Sequence, residues 1–359
     1  ADVIKVENPG SGDDTRGWGP PYLKDEQGRE TAESAYYLCT NRGKRSICLD
    51  LKSPADQATA RRLAADSDIV LENFKVGGAA RFGLDYATLA AAHPALIYCS
   101  ITGFGQTGPW RERPGYDFLI QALGGLMSVT GQPDSEPGGG PVKVGVALSD
   151  IMTGLYATIG ILAALAERDQ SGLGQHVDLA LLDVTAATLA NQASNYLVGG
   201  VEPGRLGNAH PNVVPYQSFL ANDGYFIIAV GNDGQFRKLC EVLGCADLGD
   251  DPRFATNRAR VENRDTLIPL LQRPLLEQPR ARWLTALETA GVPAGPINAV
   301  SEVFANEQLR AREMVVNVPH PANPGLQLVG NPIKLSRTPV SYERPPPRLG
   351  EHTDDILPD

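Results

Sequence analysis

The chain has 359 residues, 42% of them hydrophobic and 21% charged, the make-up of an ordinary globular protein with two domains or one large and one small. A formal net charge of -10 argues against a nucleic-acid partner, because phosphate binding relies on concentrated Lys and Arg, although a local basic pocket still suits an anionic small molecule. No apolar run approaches bilayer length, so no membrane span is expected, and five scattered cysteines without a C-x-x-C pair predict neither a disulfide framework nor a zinc site, as in a reducing, cytosol-like compartment.

The chain opens on Ala1-Asp2-Val3-Ile4-Lys5-Val6-Glu7, which reads as the middle of a buried strand. Residues are therefore expected upstream, and any targeting segment would lie there. From Val3 to about Ala193, strand-like runs alternate with helical ones: Ser46 to Leu51, a helix from Asp56 to Asp66, Asp68 to Leu71, a helix from Tyr86 to Ala92, and Leu96 to Ile101. That alternation predicts βαβ units on a parallel sheet. Gly103, Gly105 and Gly108 mark a loop leaving the carboxyl end of a strand, the edge where open α/β sheets bind ligands. Pro133 to Gly140 predicts an exposed loop.

Val142 to Leu148 leads into Ser149-Asp150, and Ile151 to Arg168, apolar almost all round, predicts a buried helix. A strand over His176 to Leu181 and a helix near Val184 to Leu189 follow. Gly199-Gly200, Pro203-Gly204, Gly207 and Pro211 predict a linker, after which Pro215 to Val230 reads as a hairpin turning at Asn222-Asp223-Gly224. Helices over Gln235 to Leu243 and Arg264 to Ala290 complete a second domain that Pro293 to Pro296 closes. The tail holds a polar hairpin around Pro321 to Pro324 and a helix start at Glu351 to Leu357.

Asp150 stands where a strand is expected to give way to a buried helix, and position alone supports two readings. It is either the N-cap of that helix or a covalent nucleophile whose tetrahedral intermediates the same backbone donors would stabilise. Arg113-Pro114-Gly115-Tyr116-Asp117-Phe118 is a second polar cluster that also reads as a helix start. The Gly103 to Gly108 loop lacks a ribose-binding acid after it, so a nicotinamide cofactor has little support. Glu72-Asn73-Phe74-Lys75 and Arg81-Phe82-Gly83-Leu84 mix basic and aromatic residues that suit phosphates and an adenine ring, or else form a solvated surface. Gly231 to Gln235 is a mobile lid or a plain turn. No histidine pair has metal-ligand spacing and no G-x-S-x-G elbow occurs, so metal hydrolysis and serine-triad chemistry lack support.

Several of these stretches together resemble the class III CoA transferases, the family of formyl-CoA transferase and the carnitine CoA transferases. The matching residues are Ala1 to Glu7, Gly10 to Trp18, Asn41 to Lys52, Glu72-Asn73-Phe74, Gly115-Tyr116-Asp117, Ser149-Asp150-Ile151 and Gly350-Glu351-His352-Thr353. Gly207-Asn208-Ala209-His210, Val214-Pro215-Tyr216-Gln217, Gly291 to Asn298 and Arg344 to Pro347 are most similar to the succinyl-CoA:glutarate CoA transferase subfamily. The resemblance implies an α/β fold with a Rossmann-like parallel-sheet large domain over 1–195 and 320–359. A linker over 196–212 and a small α+β domain over 213–319 follow from it, as does an interlocked, ring-like homodimer. The family's opening strand and helix are absent from this sequence.

Carried over by position, the resemblance implies that Asp150 is the nucleophile, with Tyr116 and Asp117 beside the reaction centre. Leu49, Lys52, Asn73, Phe74, Lys75, Arg81 and Phe82 are implied to bind coenzyme A. Gly231 to Gln235 lies where some members have a glycine loop, here broken by Asn232 and Asp233. Coenzyme A enters as substrate, the acyl-CoA, with no permanently bound cofactor and no metal; the other partner is a carboxylic or dicarboxylic acid. Acyl groups would pass through an aspartyl anhydride and an aspartyl-CoA thioester, with water excluded. Arg113, Lys143 or His210 would supply a cation for a second carboxylate. The alternatives are a 2-methylacyl-CoA racemase-like isomerase, against which Tyr116 stands where that branch has a histidine, and a non-catalytic acyl-CoA-binding protein. The expected location is the bacterial cytosol, or a mitochondrion if a transit segment precedes.

Overall fold

In a computed structural model that describes residues 1–357, the chain partitions into one unit of residues 1–70, 77–96 and 298 onward, and another of residues 71–76 and 97–297.

In the first unit the strands Val3–Glu7 and Lys44–Cys48 pair in parallel, Val3 opposite Lys44 and Glu7 opposite Cys48. Ile47 and Leu49 bury against Ala60 of the helix Pro54–Ala65, with Ile4, Leu63 and Leu84 packed around them. Ser53 starts that helix by accepting from the Asp56 N–H, and Pro54 at the first position gives up no bond. The opening strand is not buried as expected: it pairs on one side only among the described residues, which leaves Val3 and Val6 exposed. The tail hairpin forms from Val315–Asn317 and Gln327–Val329.

A buried ionic knot replaces apolar packing at the end of the first strand. Arg16 donates from Nε and Nη2 to the two carboxylate oxygens of Glu7, at 2.9 and 2.8 Å. The Ser46 hydroxyl and the Asp13 N–H add further bonds to Glu7, at 2.6 and 2.9 Å. Tyr37, itself fully buried, lies with its ring 3.8 Å beneath the guanidinium. Every lone pair that burial would leave unsatisfied thus has a donor.

In the second unit Ile97–Thr102 and His176–Ala180 pair in parallel, Tyr98 opposite His176, as the alternation predicted. The α/β class with parallel sheet elements therefore holds. The helix that follows the Pro133 to Gly140 loop runs Leu148–Ser171, preceded by irregular chain rather than a strand. It is not the buried helix expected. Its small side chains, Ser149, Thr153, Ala157 and Ala164, form the inward face, and Gly160 lies against Val177 closely enough that an added Cβ would sit 3.0 Å from it. Ile151, Leu155, Ile159 and Leu162, on another face, are between 50% and 62% exposed. The chain's own elements cover only the small face. By length and composition this helix is also long and apolar enough to cross a membrane, which corrects the expectation that no such run exists; Asp150, Thr153 and Gly154 hide it in a linear reading.

The helix Ala190–Gly199 extends into the expected linker. Beyond it Tyr216–Ala221 and Gly224–Ala229 form the predicted hairpin, and Ala294–Pro296 adds a third strand where a closing loop was expected. The predicted helix over Arg264 to Ala290 is two, Arg264–Leu275, which accommodates Pro269 and Pro274 inside it, and Arg280–Ala290, which starts after Pro279 at its N-cap. Phe219, Phe226, Ile228, Phe236, Leu267 and Leu271 pack there into one dry core. The buried Arg260 is satisfied by the Val214 and Phe254 carbonyls and by Asp233.

Candidate active site

Two glycines in contact set up the candidate site. Gly103 ends the Ile97–Thr102 strand and meets Gly115 so closely that a Cβ on either would come within 2.6 Å of the other's Cα. Only glycine fits at both positions. That contact places Tyr116 and Asp117 at the start of the short helix Asp117–Leu123.

The Asp117 carboxylate reaches across to the long helix. Its Oδ2 accepts from the backbone N–H of Ser149 at 2.8 Å and of Asp150 at 3.3 Å. Its Oδ1 accepts from Gln121 Nε2 at 2.6 Å. Gln121 is fully buried and its Oε1 accepts from the Val144 N–H at 2.9 Å, fixing the irregular strand of chain that enters the helix. Ser149 is buried beside Thr185, their hydroxyl oxygens 2.8 Å apart.

Asp117 therefore does what the N-cap reading gave to Asp150. Ala147 occupies the cap position and has no side-chain acceptor, so a carboxylate 32 residues upstream satisfies the free N–H groups of the first turn. The Asp150 carboxylate accepts no hydrogen bond among the described residues. Although the residue is open to solvent on this chain, the protein around the carboxyl and then the negative charge of Asp117 push its pKa up from the usual carboxylate range. An unpaired carboxylate with raised basicity at a helix start suits nucleophilic attack, and the capping bonds leave its oxygens available for it.

The bond from the Asp150 N–H brings Asp117 to Asp150, and Tyr116, next to Asp117 in the chain, is 74% exposed. Asn73, Phe74 and Lys75 form an exposed irregular segment in the second unit, tied by the Phe74 N–H to Glu72 at 2.7 Å. In the first unit Leu49 is a core residue, its N–H bonded to the Glu7 carbonyl, and Lys52 is exposed beside the Asp50 turn. Arg81 and Phe82 end a short 3-10 turn in that unit, where Arg61 holds the Phe82 carbonyl at 2.9 Å. Gly231 to Gln235 leads into a helix start. Asn232 caps the helix Asp233–Val242, and Gln235 accepts from the Gly231 N–H at 2.8 Å. A cavity of about 450 Å³ lined by Asn317, Pro319 and 339–343 includes none of the candidate residues. Among the described residues no group of His, Cys, Asp and Glu has the arrangement of a metal site.

Gln121 and the remote capping by Asp117 were not visible in the sequence. A Gln four residues after an Asp on a short helix is a weak signal for a paired amide and carboxylate. Nothing local in the sequence tells that this pair reaches residues 144, 149 and 150.

A family model described as CoA-transferase family III matches residues 1–353. The chain is 52% identical over 357 residues to succinate–glutarate CoA-transferase of Agrobacterium fabrum, which covers 99% of this chain and 88% of that protein. It is 42% identical to succinyl-CoA:glutarate CoA-transferase of Mus musculus, over 99% of this chain and 79% of that one. Among solved structures, a CAIB/BAIF family protein from Brucella suis superposes with a TM-score of 0.85 at 50% identity, covering 99% of this chain and 91% of that chain. With the motifs, the fold and these likenesses in agreement along the chain, it belongs to CoA-transferase family III.

Proposed function

We propose that the enzyme moves coenzyme A from succinyl-CoA or a similar donor to a carboxylic or dicarboxylic acid, with Asp150 as the acyl acceptor. The observation that carries this is the division of labour at the helix start: Asp117 takes the backbone donors, and the Asp150 carboxylate is left without a bond. An Asp150 oxygen attacks the thioester carbonyl, the C–S bond breaks, and CoA thiolate leaves an acyl-aspartyl anhydride. The thiolate then attacks the aspartyl carbonyl, releasing the donor's carboxylate and forming an aspartyl-CoA thioester. The acceptor carboxylate attacks that carbonyl and expels the thiolate, which takes the acceptor's acyl group and frees Asp150. Each step exchanges one activated acyl group for another, so positioning and oxyanion stabilisation lower the barrier.

In this reading Tyr116 stands beside the reacting acyl group, and Leu49, Lys52, Asn73, Phe74, Lys75, Arg81 and Phe82 line the coenzyme A site, Leu49 through its backbone. A dicarboxylate needs a second cation. Arg113, held 4.5 Å over the Trp110 ring, Lys143 in the segment entering the helix, and His210 are candidates. The domains are a Rossmann-like unit over 1–195 and 320–359, a linker over 196–212 and a small unit over 213–319. The compartment is cytosolic, in keeping with five free thiols.

A second copy of the chain covers the apolar face of Ile151, Leu155, Ile159 and Leu162 in an interlocked homodimer. What supports this is the exposure of that face in one chain, which water would not favour. A monomeric mass in sedimentation would sink the dimer.

The decisive experiment is mass spectrometry of the protein mixed with succinyl-CoA. A covalent CoA adduct on the Asp150 peptide is expected, absent in Asp150→Ala, whose turnover falls by roughly 10⁴-fold or more while acyl-CoA still binds. Retained turnover in that variant would remove Asp150 from the mechanism.

A further inference from the structure

Asp117 can hold the first turn of the long helix only if its own carboxylate is fixed, and among the described residues the one side chain bonded to its other oxygen is Gln121. Gln121 is an unusual choice for a core position. A fully buried amide must have both ends satisfied, and here the NH2 end is spent on Asp117 at 2.6 Å and the carbonyl end on the Val144 N–H at 2.9 Å. The same NH2 lies 3.4 Å from the Val146 carbonyl. One side chain thus ties together the short helix that carries Asp117, the segment 144–146, and, through Asp117, the N–H groups of Ser149 and Asp150.

We propose that Gln121 is a positioning residue for the transfer reaction: its amide clamps the Asp117 carboxylate and the chain entering the long helix, and so fixes where the Asp150 carboxylate stands. The inference rests on the reading of Asp150 as nucleophile. Among the described residues the Gln121 side chain bonds to Asp117, Val144 and Val146 and not to Asp150, so its effect is expected on the rate of acyl transfer to Asp150 and not on acyl-CoA affinity.

Amide chemistry is essential to the clamp. Glutamate in its place would keep the acceptor for the Val144 N–H but set a second carboxylate against Asp117 Oδ1. Protonated, that glutamate could donate to Asp117 as the amide does; ionised, it would repel it. Gln121→Glu should therefore show a kcat that falls by up to about 100-fold at high pH and recovers on acidification, a dependence that the wild type lacks. Gln121→Met keeps the volume and removes both bonds, so its kcat should be low at every pH with KM for the acyl-CoA unchanged.

Both variants are to be assayed as full-length protein, with thermal melts at each pH to show that the fold persists. In parallel, the rate of appearance of the CoA adduct on the Asp150 peptide after mixing with succinyl-CoA is followed by mass spectrometry. A slowed adduct in either folded variant, with the glutamate variant rescued at low pH, is the expected result. An adduct that forms at the wild-type rate in both variants overturns the role of Gln121 and leaves Asp150 standing. If the wild type itself forms no adduct, the reading of Asp150 has failed and this inference falls with it.

Discussion

Two acidic clusters in this chain are built in opposite ways. At the end of the first strand, Glu7 and Asp13 have their oxygens filled by Arg16, Ser46, Lys5 and Thr15. At the start of the long helix, Asp117 is filled in the same manner while Asp150 is left unbonded. The pKa directions follow. Burial would raise Glu7 and Asp13, yet the hydrogen bonds from Arg16 and Lys5 outweigh it and hold both below their ordinary values, whereas burial and then Asp117 push Asp150 up. A carboxylate surrounded by donors stabilises the fold, and one deprived of them is available for chemistry.

The largest effect on that contrast comes from unpairing the first cluster. Arg16→Met leaves Glu7, almost wholly buried, with a charge opposed only by the Ser46 hydroxyl and the Asp13 N–H. Removing one partner of a buried pair costs about 3–5 kcal/mol, so urea unfolding at neutral pH should show a loss of that size. An unchanged midpoint would mean that the knot contributes packing alone.

Asp13→Asn tests the same cluster through pH and should have a smaller effect. The folded-state pKa of Asp13 is about 2, against an ordinary value of 3.8, because hydrogen bonds from Lys5 and Thr15 overcome its burial. A lowered pKa means stability that is present above 3.8 and lost as pH falls through about 2. The shift corresponds to about 2 kcal/mol, which the asparagine variant should lack at neutral pH and therefore not lose on acidification. Parallel acid titrations followed by circular dichroism measure the difference, and coincident curves would refute it.

Sequence periodicity found most of the elements because local patterns encode them: the hairpin at Asn222-Asp223-Gly224, the helix Tyr86–Ala92 and the strand Ile97–Thr102 are each set by residues near one another in the chain. It misjudged Ile151 to Arg168, since an apolar pattern demands a partner without saying whether the same chain supplies it. The roles within the site were half legible. Asp150 could be singled out by position, but whether it capped its helix depended on Asp117, which reaches the helix across 32 and 33 residues, and on Gln121, which reaches Val144 across 23. Hydrogen bonds at that separation leave no spacing in the sequence to read.

The smallest effect, and the most diagnostic of the contrast, is on stability at the second cluster. Asp150 has a raised pKa, so the stability linked to its protonated form is fully present below the unfolded value of 3.8 and is lost as pH rises through the folded one. The helix dipole would ordinarily favour a negative charge at this position, but Asp117 already occupies the two N–H groups that present the positive end. Asp150→Asn removes a charge that faces Asp117 without removing any hydrogen bond. The variant should therefore melt at a slightly higher temperature than the wild type at pH 7, by less than the Asp13 effect because the group is open to solvent, and the two should converge toward pH 4. If the asparagine variant melts lower at pH 7, Asp150 is stabilising its helix as Glu7 stabilises its strand, and the distinction between the two clusters disappears.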